Sequence, residues 1–271
     1  GLALHIKLLG TKIAAQDNEA TYVEAAAGEN WHEFVRWTLD QGLSGMENLS
    51  LIPGTVGATP IQNIGAYGVE MKDTFHSLQA LQISDGRLRT FNREQCEFSY
   101  RDSVFKRELK ERYVIISVTF RLPSAAKLNL DYGDVRAELK RMDCTAPSAR
   151  DVSDAVCNIR RRKLPDPTVI GNAGSFFKNP IVDCDLFARI QSAHEKVANY
   201  PALDGKVKLA AGWLIEQCGW KGKSLGRAGV HEQHALVLVN RGGASGDEIL
   251  SLARAIQASV LEKFGVELEP E

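Results

Sequence analysis

Leu164-Pro165-Asp166-Pro167-Thr168-Val169-Ile170-Gly171-Asn172-Ala173-Gly174-Ser175-Phe176-Phe177-Lys178-Asn179-Pro180 both divides the chain and carries its most informative loop. The two prolines in residues 164–167 stiffen the segment and forbid helix, which makes it the linker between two α+β domains, residues 1–163 and 164–271. In residues 171–180 the glycines permit turns that a Cβ would forbid. The order of residues puts the Ser175 hydroxyl at the bend, with Phe176 and Phe177 walling it from water. Lys178 and Asn179 add a cation and amide donors. This is how a polar atom is presented into a ligand pocket, although a glycine-rich surface loop beside two core phenylalanines has the same composition.

Immediately upstream, Ser148 and Asp151 form a capping box, and Val152, Ala155, Val156 and Ile159 mark a helix that stops before Pro165. Its end, Arg160-Arg161-Arg162-Lys163, is a cation cluster that complements the helix dipole in solvent, or one in which Lys163 reaches a diphosphate. Farther back the chain is strand-rich. Val114, Ile116, Val118 and Phe120 alternate as the buried face of a strand. Residues 75–83 and 87–91 make a hairpin around Asp85-Gly86. Asn30 caps a helix with the stripe Trp31, Phe34, Val35 and Leu39, ended by Gly42. Residues 1–9 read as a strand. Downstream come a helix over 209–218, a buried strand over 235–239, and a last helix. That helix bears Ile249, Leu250, Ala253, Ile256, Val260, Leu261 and Phe264 before its Gly265 stop. Residues 266–271 read as a strand interrupted midway.

Composition excludes several classes. The chain has 271 residues, 44% hydrophobic and 25% charged, with a net charge of −1, so it has no basic field for nucleic acid or an anionic membrane. No apolar run approaches a membrane span. Five scattered cysteines without a C-x-x-C pair are reduced thiols of a cytoplasmic protein. His231-Glu232-Gln233-His234 lacks the H-E-x-x-H spacing and a third ligand, so no metal is expected; these histidines line a cleft or pack.

Two further segments bear chemistry. Pro53-Gly54-Thr55-Val56-Gly57-Ala58-Thr59-Pro60-Ile61-Gln62-Asn63-Ile64-Gly65-Ala66-Tyr67-Gly68 cannot be helix, and it lacks the G-x-G-x-x-G fingerprint. Its backbone N–H groups suit a phosphate or the polar edge of a flat heterocycle; a tight structural crossover is the alternative. In Tyr100-Arg101-Asp102-Ser103 the guanidinium of Arg101 either clamps a carboxylate or pairs with Asp102 at the surface.

Taken together these segments resemble the UDP-N-acetylenolpyruvoylglucosamine reductase family of peptidoglycan synthesis. The resemblance rests on Ala27-Gly28-Glu29-Asn30-Trp31, residues 53–68, Tyr100-Arg101-Asp102-Ser103, Tyr132-Gly133-Asp134, Lys163-Leu164-Pro165-Asp166-Pro167, residues 171–180, Ala210-Ala211-Gly212-Trp213-Leu214-Ile215 and Leu268-Glu269-Pro270-Glu271, in the family's order. It implies a vanillyl-alcohol-oxidase (PCMH-type) FAD-binding domain followed by an α+β substrate-binding domain. It also implies that the family's first flavin lobe is missing and that the chain is cut at both ends. His234 departs from relatives that carry Gln there.

The resemblance further implies FAD as cofactor, NADPH as co-substrate, and UDP-N-acetylglucosamine enolpyruvate as the compound reduced, by a monomer that engages neither nucleic acid nor membrane. Arg101, Ser175 and Glu271 are the implied catalytic residues. Pro53, Gly54, Gly57, Ile61, Gln62, Asn63, Ile64, Gly65, Ala66, Tyr67 and Gly68 are implied at the flavin. Tyr100, Tyr132, Lys163, Phe176, Asn179 and His234 are implied at the substrate. Two other readings compete: another flavin oxidoreductase of the same fold, and a non-catalytic fragment that binds a UDP-sugar.

Overall fold

A computed structural model describes residues 4–125, 127–132 and 134–271. Expectations falling on residues 1–3, and on Gly133 within the Tyr-Gly-Asp motif, lie outside the described residues. The first unit, Gly1–Arg160, contains β1 (Thr11–Gln16), β2 (Ala20–Ala26), α1 (Trp31–Asp40) and the short pair β3 (Gly65–Ala66) and β4 (Val69–Glu70). There follow β5 (Phe75–Gln82), β6 (Leu88–Asn92), the single turn α2 (Arg93–Cys96), β7 (Tyr113–Pro123), α3 (Val135–Arg141) and α4 (Ala149–Lys163), whose last turn is counted with the second unit. Residues 4–9 form no strand; instead Leu8 O accepts the Gly28 amide at 2.9 Å.

The main sheet runs β1-β2-β7-β5-β6 with antiparallel neighbours. Asp85-Gly86 closes β5 onto β6, with Gly86 at φ 69°, where a Cβ is disfavoured. The alternation in β7 holds only in part. Gln79 pairs with Ser117 and Ala80 with Ile115, so Ile116 is an extra residue with no partner in β5. Burial changes phase just after this bulge: Ile115 and Ser117 are buried, then Val118, Phe120 and Leu122, while Val114 and Ile116 are half-buried. Trp31 and Phe34 of α1 pack on Phe120 with ring centroids 5.2–5.8 Å apart, and Trp31 Nε1 donates to Leu49 O at 2.9 Å. Each such buried side chain contributes about 1.5–3 kcal/mol. Asn30 Oδ1 caps α1 by accepting the Glu33 amide.

The second unit, Arg161–Glu271, contains β8 (Asn172–Ser175), β9 (Ile181–Val182), α5 (Cys184–Ala193), β10 (Asn199–Pro201), β11 (Val207–Leu209), α6 (Ala211–Gln217), β12 (Ser224–Leu225), β13 (Ala228–Val230), β14 (Val237–Asn240) and α7 (Gly246–Phe264). Its sheets run β12-β13-β14-β8 and β10-β11-β9. α7 starts at a Ser245/Glu248 capping box and ends at Gly265, φ 67°. Leu252, Ala253, Ile256, Val260 and Phe264 form its buried stripe; Leu250 and Leu261 fall off it and are exposed. Residues 266–271 are not a regular strand, but Val266 and Leu268 are buried in this core. The five cysteines are free, and burial pushes the Cys96 thiol up to about 12. Among the described residues no helix is long and apolar enough to cross a membrane.

Candidate active site

Residues 53–68 are tied to the start of α1 along their first turn. Asn30 bridges Thr55, Trp31 N–H donates to Gly54 O at 3.1 Å, Val56 N–H to Glu29 O at 2.9 Å, and Gly57 N–H to Ala27 O at 2.9 Å. A Cβ on Gly57 would stand 2.5 Å from Ala27 Cβ, so this glycine exists for close approach to the residue that follows β2. The amides of Ala58, Thr59, Ile61 and Ile64 also donate to protein carbonyls. The loop therefore does not present a row of free N–H groups to a phosphate: six of them hold it in shape. Asn63 is buried, its Oδ1 accepting from Lys72 N and its Nδ2 donating to Ser99 O, which leaves its side chain committed to the loop itself. Pro53, Gly54 and Gly68 are exposed; Ile61, Gln62, Gly65, Ala66 and Tyr67 are half-buried, and Ile64 is buried.

Around the loop's second half three residues hold left-handed backbone: Asn63 at φ 45°, Tyr67 at φ 48° and Arg101 at φ 54°. Such conformations cost about 1–3 kcal/mol each and persist only when the surroundings fix them. Arg101 Nη2 donates to Gly65 O at 2.5 Å, and its guanidinium lies 5.2 Å from the Tyr100 ring centroid. Asp102, the surface partner considered from sequence, pairs with Arg107 instead. Tyr132 meets Tyr67 edge-on at 6.2 Å. Asn48 Nδ2 donates to Tyr67 O at 3.0 Å and to Asn129 O at 2.9 Å, while its buried Oδ1 receives no hydrogen bond from the described residues.

Sequence reasoning missed Asn48, and it misplaced Arg160. Arg160 is no solvated helix end: its Nε donates to Leu51 O at 3.1 Å, and burial lowers its pKa against the opposing pull of Tyr67. The signal was present, because Arg160 lies one turn after buried Val156 on α4. Arg161, Arg162 and Lys163 are exposed, as a helix-end cluster should be.

In the second unit Ser175 ends β8 opposite Val237. The bend falls at Gly174, φ 63°, whose amide donates to Asn172 Oδ1 at 3.0 Å. Ser175 itself is exposed. The expected aromatic wall is absent because Phe177 is drawn into the second core, 1% exposed, with Phe176 half-buried against it. Asn179 Oδ1 accepts the Ala211 amide at 2.9 Å and so ties the loop to the start of α6. His234 is half-buried in the turn before β14, where its carbonyl accepts Val237 N–H at 3.0 Å. Burial lowers the pKa of nearby His231.

The chain's last residues join this loop. Glu271 N–H donates to Phe176 O at 2.9 Å, Lys178 N–H donates to Glu269 O at 2.9 Å, and Phe177 faces Pro270 between them. Lys178 Nζ also pairs with Glu269 at 2.6 Å. The second unit thus gathers Ser175, Phe176, Asn179 and Glu271 along one loop and its partner segment. The first unit gathers Arg101, Tyr100, Tyr132 and residues 53–68.

Comparison with known proteins places the chain in a family. Residues 166–271 match the family description "UDP-N-acetylenolpyruvoylglucosamine reductase, C-terminal domain", and residues 1–92 match "FAD binding domain". UDP-N-acetylenolpyruvoylglucosamine reductase of Paraburkholderia phymatum is 57% identical over 274 residues, covering 100% of this chain and 79% of the relative. The enzyme of Paraburkholderia phytofirmans is 58% identical over 273 residues with the same coverage, and that of Burkholderia pseudomallei is 56% identical over 273 residues, covering 78% of the relative. The crystal structure of the Thermus caldophilus reductase shares the fold at TM-score 0.60 and 23% identity, over 92% of this chain and 71% of that one. On this identity and coverage, the chain belongs to the UDP-N-acetylenolpyruvoylglucosamine reductase family.

Proposed function

We propose that the chain reduces the enolpyruvyl double bond of UDP-N-acetylglucosamine enolpyruvate to form UDP-N-acetylmuramate for peptidoglycan synthesis, with FAD as cofactor and NADPH as reductant. The observation that carries this reading, in a chain of this family, is the pairing that sets Glu271 opposite Phe176, one residue from Ser175. The first unit fits a flavin ring: Asn48 Oδ1 is a buried acceptor in want of an N–H, and Gly54 (φ 117°) opens to space where a Cβ would project. Ile61, Ile64, Gly65, Ala66 and Tyr67 would line that ring, with Gln62 and the backbone of Asn63 at its edge.

When bound and reduced by NADPH, FAD supplies a hydride to C3 of the enolpyruvyl group. Negative charge then develops at C2 and on the conjugated carboxylate. Arg101 and Glu271 polarise that carboxylate, a task for which Glu271 must be protonated. The Ser175 hydroxyl gives its proton to C2, which completes the lactyl ether. A serine hydroxyl is a weak acid and can serve here only because the carbanion is a strong base. Tyr100, Tyr132, Lys163, Phe176, Asn179 and His234 hold the nucleotide and its diphosphate. Asn179 offers its amide nitrogen, since its oxygen is committed to Ala211. NADPH and the sugar nucleotide use the site in turn, and the enzyme works as a cytoplasmic monomer.

Ser175→Ala in the holoenzyme tests the reading by stopped flow. Reduction of flavin by NADPH is expected to be unchanged, while its oxidation by substrate slows by about 10²–10⁴-fold. Equal slowing of both half-reactions would refute the role of Ser175.

A further inference from the structure

Phe177 and Pro270 are the non-hydrogen-bonded pair of a two-bond antiparallel ladder, flanked by the bonds Glu271 N–H to Phe176 O and Lys178 N–H to Glu269 O. Proline has no N–H to give, and in this register none is asked of it. A slip by one residue in either direction would require an amide donor at position 270. It would also turn Glu271 to the opposite face of the ladder. From the helix side, Gln257 of α7 donates Nε2–H to Leu268 O at 2.7 Å. Val266 and Leu268 are sunk in the core at 2% and 3% exposure, which fixes how far the tail is drawn in. The Lys178–Glu269 ion pair adds little, because Glu269 is 71% exposed.

We propose that Pro270 and Gln257 are positioning residues for the reduction. Pro270 selects the register that sets Glu271 opposite Phe176, and Gln257 anchors the tail so that this register holds while Ser175 protonates C2. The inference rests on the reading that Glu271 and Ser175 act on the substrate. In this reading both act through the placement of Glu271, Pro270 by its pairing with Phe177 and Gln257 by its bond to Leu268 O.

The test compares Pro270→Ala and Gln257→Leu with Ser175→Ala in the holoenzyme. Amide exchange at Lys178 and Glu271 reports the ladder, and stopped flow reports the two half-reactions separately. Each positioning variant is expected to raise exchange at both amides by about 2–10-fold, the worth of one hydrogen bond. Oxidation of reduced flavin by substrate should slow by a similar factor, with NADPH reduction as in the parent. Faster exchange with an unchanged substrate half-reaction overturns the proposal, and so does unchanged exchange. Equal slowing of both half-reactions assigns these residues a merely structural role and overturns it as well. If Ser175→Ala spares the substrate half-reaction, the reading of the reaction fails and takes this inference with it; if only the positioning variants spare it, the reading stands and the inference alone falls.

Discussion

Gly65→Ala should disable Arg101 without unfolding the protein. A Cβ at position 65 would stand 2.7 Å from Arg101 Nη1, and 3.1 Å from Glu70 Cγ and from Val69 O. Ordinary contact begins about 0.7 Å farther out than the first of these distances. The backbone and the strand neighbour can give little, whereas the tip of an arginine can swing, so the guanidinium takes most of the displacement. It leaves its hydrogen bond to Gly65 O, a charge-assisted contact discounted here for partial exposure to about 1 kcal/mol. A loss of that size lowers Tm by only a few degrees in a protein this large. Misplacing a reacting group by about 1 Å can cost on the order of 10²-fold in rate. Stopped-flow oxidation of reduced flavin by the enolpyruvyl substrate should therefore slow by about 10–10²-fold, with NADPH reduction near normal. The decisive measurement is the double variant: with Arg101→Ala already present, Gly65→Ala should slow the substrate half-reaction no further. Additive losses would refute the claim that Gly65 acts through Arg101.

Gly57→Ala should do the reverse. Its Cβ would meet Ala27 Cβ at 2.5 Å and Ala27 Cα at 3.1 Å, buried atoms with no rotatable tip to swing aside, so about 1–3 kcal/mol of stability is lost and the urea midpoint falls; an unchanged midpoint counts against it. Acid should loosen the start of α7. Hydrogen bonding from Arg227 and the Ser245 amide lowers the Glu248 pKa from 4.5 to about 2. A depressed carboxyl stabilises the fold above its unfolded pKa, and that contribution is lost as pH falls from 4.5 toward 2. Glu248→Gln should flatten the pH dependence of stability in that window, and an unaltered profile would argue against the capping box as its source.

Local signals were legible because their physics is local. Asn30 before Trp31, Ser148 with Asp151, Asp85-Gly86 and Gly265 each satisfy or terminate a backbone within a few residues, and each sits where the sequence put it. The bulge in β7 could not be read, since the extra residue Ile116 is defined only against its partner β5. Four consecutive cations gave no hint that Arg160 alone turns inward; only the α4 stripe continued through Val156 hints at it. The Ser175 bend was legible from Gly174, but its exposure was not, because the second core claims Phe177 from outside the loop. Asn48 carries no motif, and its importance lies in an unsatisfied atom that only packing reveals.

The ladder between residues 176–178 and 269–271 joins the beginning of the second unit to its end. Closing so long a loop is entropically costly, so this contact cannot nucleate folding and must form after the sheets and α7 have organised what lies between. During synthesis, β8 can meet β14 well before the tail emerges. Until residues 269–271 pair, the second unit would hold its β12-β13-β14-β8 sheet while Glu271 remained unplaced. Order of assembly thus makes the placement of Glu271 a late step in the folding of the second unit.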